Sequence, residues 1–354
     1  MRDDIELPVD YPLFDDSVSF EDCQSRLHAL GLGDGLPLVP PTKARLARML
    51  EGVREPATSW GNLPPLMGEL RPDALGYQCV LAGCPPAGLG LVMTALHACL
   101  EPQFNLLGIT TTTGTAAVAM VVHGPLAREL GLISSSNCLR SRCPCQRRLR
   151  PRPQSGTAQC GRRQGRGVGD MATMGQSGKF SFCLAETANA PLPSLSERRG
   201  LDKERSAVTV MGVSGTAEVL PLEEAQTGQA AQTGDAILGD AILAPIAAAM
   251  GSAIGVSGTR TRTGRGEQIF FLPPELAGRL TACGWTLAAM QTYLFDHARV
   301  PPLAAGTAGG NERAARSAEA IQPIVTGGPG IKMTYAPLWS GGTVTVTRAV
   351  PSTL

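Results

Sequence analysis

The sequence predicts an α/β fold: mixed sheets with flanking helices, as one large domain or two closely packed α/β lobes. Three observations carry that expectation. Apolar runs of strand length end in Gly- or Pro-containing turns that open onto capped helices, and this order recurs. The 42 Gly and 28 Pro imply many tight connections. At 354 residues, 43% hydrophobic and 17% charged, the chain is long and apolar enough to bury a large core.

The elements follow in order. Residues 1–18 read as an extended lead-in rich in Pro and Asp. Ser19 to Leu32 reads as a helix, with Phe20, Cys23, Leu27 and Leu30 at helical spacing. After the turn at Gly33-Asp34-Gly35 comes the apolar run Leu36 to Val39. Pro40 and Pro41 end it, and the Thr42 hydroxyl caps the next helix. Tyr77 to Ala82 is the next apolar segment, closed by Gly83-Cys84-Pro85-Pro86, and Leu89 to Leu100 is a helix. Phe104 to Thr110 reads as a strand, followed by the Thr-rich turn Thr110 to Gly114. Ala116 to Val122 is apolar again, and His123-Gly124-Pro125 opens a short helix that Gly131 closes.

In the second half, GKFSFCLAE and AVTVMGV precede a helix in ILGDAILAPIAAAMG. GEQIFFLPPELAGRLTACGW reads as strand, Pro-started helix and Gly stop, and Thr286 caps the amphipathic helix LAAMQTYLFDHA. GTAGGNERAARSAEA reads as an exposed linker, and the end is strand-rich, with IQPIVTGGPG and GGTVTVTRAV. No repeat of fixed period emerges. If there are two lobes, they span 19–190 and 191–354.

One stretch breaks the pattern. Arg140 to Gly167 holds nine Arg, three Cys and three Pro, with no acidic residue and no Val, Ile, Met or aromatic. It therefore has no apolar stripe of helix or strand period. A reading-frame error accounts for it. One codon choice for Arg140 to Gln146, read one base later, gives Gly-Pro-Gly-Ala-Arg-Ala-Asn, small-residue text of the kind its flanks would continue into. The net charge of +1 depends on those nine Arg, and without them acidic residues outnumber basic ones. Such a chain has no electrostatic reason to seek nucleic acid.

Of ten Cys, three lie in that segment; the other seven are scattered without paired spacing, as expected for reduced thiols in a cytoplasmic protein. The acidic N-terminus argues against a targeting peptide, and no apolar run approaches the roughly 20 residues that span a bilayer.

The candidate chemistry is dispersed. Cys84 ends an apolar run ahead of a Pro-started helix, where a helix N-terminus lowers a thiol pKa; a buried inert thiol is the competing reading. His123 precedes Gly-Pro at a strand end, the place of a general base or of a solvent-facing turn histidine. His97 reads as core, and His28 and His297 have no evident partners. Asp34, Asp170, Lys179 and Glu186 stand in Gly-rich or strand-end contexts, where Asp170 and Lys179 meet either at a site or in a solvated ion pair. Thr111, Thr112, Thr113 and Gly114 form a candidate anion cradle, with Gly178 and Asn137 as further substrate-binding candidates. No metal-ligand spacing, phosphate loop or nucleophile elbow is present, and no cofactor is implied.

The blocks GDGLPLVPPT (33–42), LAGCPP (81–86), FNLLGITTTTG (104–114), HGPLARELG (123–131), GDMATMGQSGKFSFCLAE (169–186) and VTRAV (346–350) resemble a largely uncharacterised family of bacterial α/β proteins. The likeness covers most of residues 30–350. That family continues after Asn-Cys-Leu with a Gly-Pro-Gly, Arg-Ala-Asn-Ala stretch, which the shifted frame restores. The resemblance implies the fold and little about the reaction. The expectation is a cytoplasmic enzyme, a lyase or hydrolase acting on a small carboxylated metabolite, with Cys84, Lys179 and Asp170 as its catalytic groups. The alternatives are a non-catalytic partner subunit of a thiol or redox protein, and, third, a nucleic-acid binder using the Arg-rich segment. A homo-oligomer is compatible with the first two.

Overall fold

The computed structural model describes residues 11–32, 37–139, 172–176, 178, 182–226, 235–256, 266–301 and 312–351. The chain is α/β, with mixed sheets flanked by helices. The predicted caps at Thr42 and Thr286 form, and Ser19 supplies another. The Ser19 hydroxyl accepts from the Asp22 N–H (3.1 Å) at the start of helix Phe20–Ala29, Thr42 accepts from Arg45 (3.3 Å) at Lys43–Met49, and Thr286 accepts from Ala289 (3.2 Å) at Leu287–His297.

Two apolar segments differ from the expected pattern. Tyr77 to Ala82 completes helix Pro72–Leu81, whose residues are almost all buried; a helix apolar on every side shows no 3.6-residue stripe. Phe104 to Thr110 is a 3-10 turn and then helix Leu106–Thr111 rather than a strand. Asn105 sits at φ 57° and its side chain caps the Gly108 N–H at 3.1 Å, while the Thr110 hydroxyl donates back to the Leu106 carbonyl at 2.9 Å. Local side-chain bonds thus turn a β-branched stretch into a helix.

A two-stranded ribbon pairs β1 (Asn62–Leu63) with β2 (Gly68–Glu69). The first large sheet contains β3 (Ala117–His123), β4 (Cys183–Ala185), β5 (Ala207–Val213) and β12 (Val346–Ala349), in the order β12-β5-β3-β4. The second contains β6 (Ala217–Val219), β7 (Gln268–Leu272), β10 (Ile321–Val325) and β11 (Met333–Ala336), in the order β10-β7-β11-β6. Each sheet has a parallel pair at one edge, β3 with β4 or β7 with β10, followed by two antiparallel strands. The two sheets therefore repeat one plan. The chain crosses between them twice, because β5 leads into β6 of the second sheet and β11 leads towards β12 of the first. The crossing is tied by Ser214 N–H to the Pro337 carbonyl (2.8 Å) and Trp339 N–H to the Gly212 carbonyl (2.8 Å). The first sheet draws strands from both sides of residue 190, whereas all four strands of the second lie after it.

Alternation along the strands sorts side chains into layers. Ala117, Ala119, Val121, Leu184, Met211 and Val213 of the first sheet meet Ile269, Phe271, Ile324 and Ala336 of the second in one buried cluster. Met120, Val122, Val208 and Val210 face the other way, towards helices Pro72–Leu81 and Leu89–Cys99. Phe270, Leu272, Ile321 and Tyr335 face helices Asp235–Val256, Pro274–Ala282 and Leu287–His297. The architecture is four layers: helices, sheet, sheet, helices.

Helix Asp235–Val256 contains Pro245, which has no N–H for the Ala241 carbonyl; the Leu222 N–H fills that acceptor at 2.8 Å. The expected linker 306–320 is not an exposed one where it is described. Glu312–Arg313 (β9) pairs with Arg299–Val300 (β8), and Ala314 and Ala315 are buried in the second helical core.

Candidate functional site

The inter-sheet layer changes character at one end. Where β3 and β4 finish, its apolar side chains give way to His123, Glu186 and Thr209, all buried. The parallel register that pairs Val122 with Ala185 carries on to set His123 beside Glu186, and Thr209 lies on the same face of the neighbouring strand. His123 Nδ1 is 2.8 Å from Glu186 Oε2, and Nε2 is 2.8 Å from Thr209 Oγ1. Thr209 is also 2.8 Å from Thr347 Oγ1, its cross-strand partner on β12. Glu186 Oε2 further accepts the Leu195 N–H at 3.0 Å.

These contacts constrain the protons. An ionised carboxylate only accepts, so Nδ1 carries a proton. Nε2 then either accepts from the Thr209 hydroxyl, with the imidazole neutral, or donates to it, with the imidazole charged. The hydroxyls of Thr209 and Thr347 can turn to suit both states.

The pair opens onto a cleft of about 430 Å³ at the carboxyl ends of β3 and β4, lined by His123, Glu186, Ser134, Thr187, Asn189 and Lys203 among others. Gly124 shapes its rim. At φ 78° its α-carbon lies against the Arg205 carbonyl, where a Cβ has no room. The ends of parallel strands are where α/β sheets place ligands. The second sheet has a matching cleft of about 510 Å³ beyond β7 and β10. Aligning the inward pairs Val121–Leu184 and Phe271–Ile324 puts Pro273 and Thr326 of that cleft where the first has His123 and Glu186. Only the first carries an acid–base pair.

Of the sequence candidates, His123 is at this cleft, and it is 2% exposed rather than a solvent-facing turn residue. Cys84 lies elsewhere. It is buried in the first helical core, its thiol 3.5 Å from the Pro85 carbonyl. Three of the Thr110 to Gly114 hydroxyls are bonded locally: Thr110 donates to the Leu106 carbonyl (2.9 Å), Thr111 donates to the Leu107 carbonyl (2.7 Å), and Thr112 Oγ1 accepts the Gly114 N–H (3.0 Å). The Thr113 carbonyl accepts from Thr173 at 2.8 Å, and Gly178 is buried beside Phe182. Asn137, at φ 65°, lines the second cleft with Cys138, whose thiol burial pushes up in pKa. Asp34, Asp170 and Lys179 lie outside the described residues. His97 is exposed, not core, and stacks on Trp60 with ring centroids 5.8 Å apart.

Sequence reading missed Thr209 and Thr347, which sit in ordinary strand text, and Arg198, which sits in the polar run SERRG. Nothing local marks them, because their partners are far away in sequence. Among the described residues no cluster of His, Cys, Asp and Glu is placed to hold a metal ion, and no helix is long and apolar enough to cross a membrane. Comparison with family models, curated proteins and solved structures finds no match to this chain.

Proposed function

We propose that the chain is an enzyme, a lyase or hydrolase acting on a small carboxylated molecule, and that His123 is its general acid–base, paired with Glu186. The observation that supports this most directly is the His123–Glu186 pair in the lining of the first cleft, backed by buried Thr209. General acid–base groups of this kind contribute about 10²–10⁴-fold to a rate. Exposed Arg128 and Lys203 line the cleft beside Glu197 and Glu204, and either cation is available to meet a substrate carboxylate. Cys84, buried away from that lining, takes a packing role in this reading.

The test is turnover, followed by NMR, of a panel of small mono- and dicarboxylic acids and their esters and amides. The expected result is that His123→Gln, folded though with a lower melting temperature, abolishes a wild-type conversion, whereas Cys84→Ser keeps it. Full turnover by His123→Gln would overturn the assignment. A wild-type protein inert to the whole panel would favour the partner-subunit reading.

The same proposal treats residues 140–167 as frame-shifted text, on the strength of their composition and the restored Gly-Pro-Gly stretch. Resequencing source DNA across codons 137–170 should reveal compensating one-base changes near codons 139 and 167. An unchanged sequence would make the basic segment genuine.

A further inference from the structure

The short helix Leu195–Arg198 sits at the polar end of the inter-sheet layer and touches both sheets. Its first N–H, from Leu195, binds the Glu186 carboxylate of the acid–base pair at 3.0 Å. Its last residue, Arg198, reaches the opposite sheet: Nη1 donates to Gln322 Oε1 at 2.5 Å and Nη2 to the Pro323 carbonyl at 2.6 Å, both on β10. Nε donates back to the Ser194 carbonyl at 3.3 Å, the residue that caps this helix. A helix of one turn has no stability of its own. Its position, and with it the direction of the Leu195 N–H, depends on these anchors.

We infer that Arg198 is a positioning residue for the acid–base pair: by clamping helix Leu195–Arg198 to β10 it aims the Leu195 N–H at Glu186 and so holds Glu186 against His123. The inference rests on the reading of the first cleft as the reaction site. Burial of the guanidinium supports it. Desolvation pushes the Arg198 pKa down to about 10, and the Glu186 charge opposes that shift, so the two groups are electrostatically coupled. The cation and the carboxylate are thus parts of one network, not independent surface charges. The next residue provides a comparison. Arg199, the C-cap residue of the same helix, links it to Glu267 and to Thr345 Oγ1 (2.8 Å) rather than to β10.

The experiment is ¹H–¹⁵N NMR of the His123 ring in the full-length protein. A hydrogen bond to a carboxylate moves the Nδ1 proton far downfield. The wild type should show that resonance, Arg198→Gln should lose or broaden it, and Arg199→Gln should keep it even where its melting temperature falls as far. With a substrate in hand, Arg198→Gln should lower kcat about 10²-fold, the scale of a misplaced catalytic group, with little change in KM. An unaltered resonance in Arg198→Gln would overturn the inference while leaving the enzyme reading to stand on His123→Gln. Should Arg198→Gln fail to fold, Arg198→Lys serves: it keeps the charge but not the fork, and a resonance as sharp as wild type would likewise contradict the proposal.

Discussion

At the scale of residues, His123 has both ring nitrogens engaged, and that decides what each neighbour is worth. Removing the Thr209 hydroxyl leaves a buried nitrogen without a partner, and an orphaned buried polar group costs about 1–3 kcal/mol. Thr209→Val should therefore lower unfolding free energy by that amount in urea titration. A loss within about 0.5 kcal/mol, the range of an ordinary surface change, would mean that the hydrogen bond is dispensable. His123 was legible in the sequence because a strand end followed by Gly-Pro is a local signal. Its burial was not legible, since Glu186 lies 63 residues away and Thr209 lies 86. Cys84 attracted attention for a local reason too, yet the core built around it from distant helices leaves it packed.

At the scale of elements, Ser194 and Glu197 form a capping box: Ser194 Oγ accepts the Glu197 N–H at 3.2 Å, and the Glu197 carboxylate accepts the Ser194 N–H at 2.8 Å. The Ser194 hydroxyl, and then its backbone N–H, hold the Glu197 carboxyl below its ordinary pKa. A carboxyl depressed in the folded state contributes stability above its unfolded pKa and loses it as pH falls through the folded value. Glu197→Gln should therefore lower stability most at neutral pH and least at low pH, flattening the acid limb of the stability curve, as thermal melts across that range will show. An unchanged acid limb would contradict this.

Gly251 makes a second prediction at this scale. A Cβ there would overlap the Arg299 carbonyl where helix Asp235–Val256 crosses β8. Gly251→Ala should destabilise by about 1–3 kcal/mol, the usual cost of overpacking, although Ala is the better helix former; a gain in melting temperature would refute it. Two helix starts were legible because Thr42 and Thr286 cap through bonds within three residues. Helix Pro72–Leu81 was not, because burial on all sides erases the pattern that would have announced it.

At the scale of the molecule, the chain crosses between the two large sheets twice, from β5 into β6 and from β11 towards β12. The sheets also share one buried layer, and their ends are stitched by the Thr187 N–H to the Val325 carbonyl (2.8 Å) and the Thr326 hydroxyl to the Ala185 carbonyl (2.8 Å). The described core should unfold in one transition. Ile324→Ala, in the shared layer, should cost about 2–5 kcal/mol and lower hydrogen-exchange protection of β3 and β7 alike. Loss confined to one sheet would show that the halves unfold separately. The α/β class was legible from local rhythm, whereas the doubled plan was not: the crossing strands pair residues more than a hundred positions apart, and the two halves share no fixed period.

The measurement closest to the central claim is the turnover rate of Glu186→Gln relative to wild type, with melting temperature as the check on folding. The amide keeps the shape and can still meet His123, but it carries no charge to stabilise an imidazolium. A fall of about 10²-fold or more in a folded variant is the result expected if the pair transfers protons. A wild-type rate in a folded Glu186→Gln protein would make Glu186 and His123 a buried structural tie and nothing more.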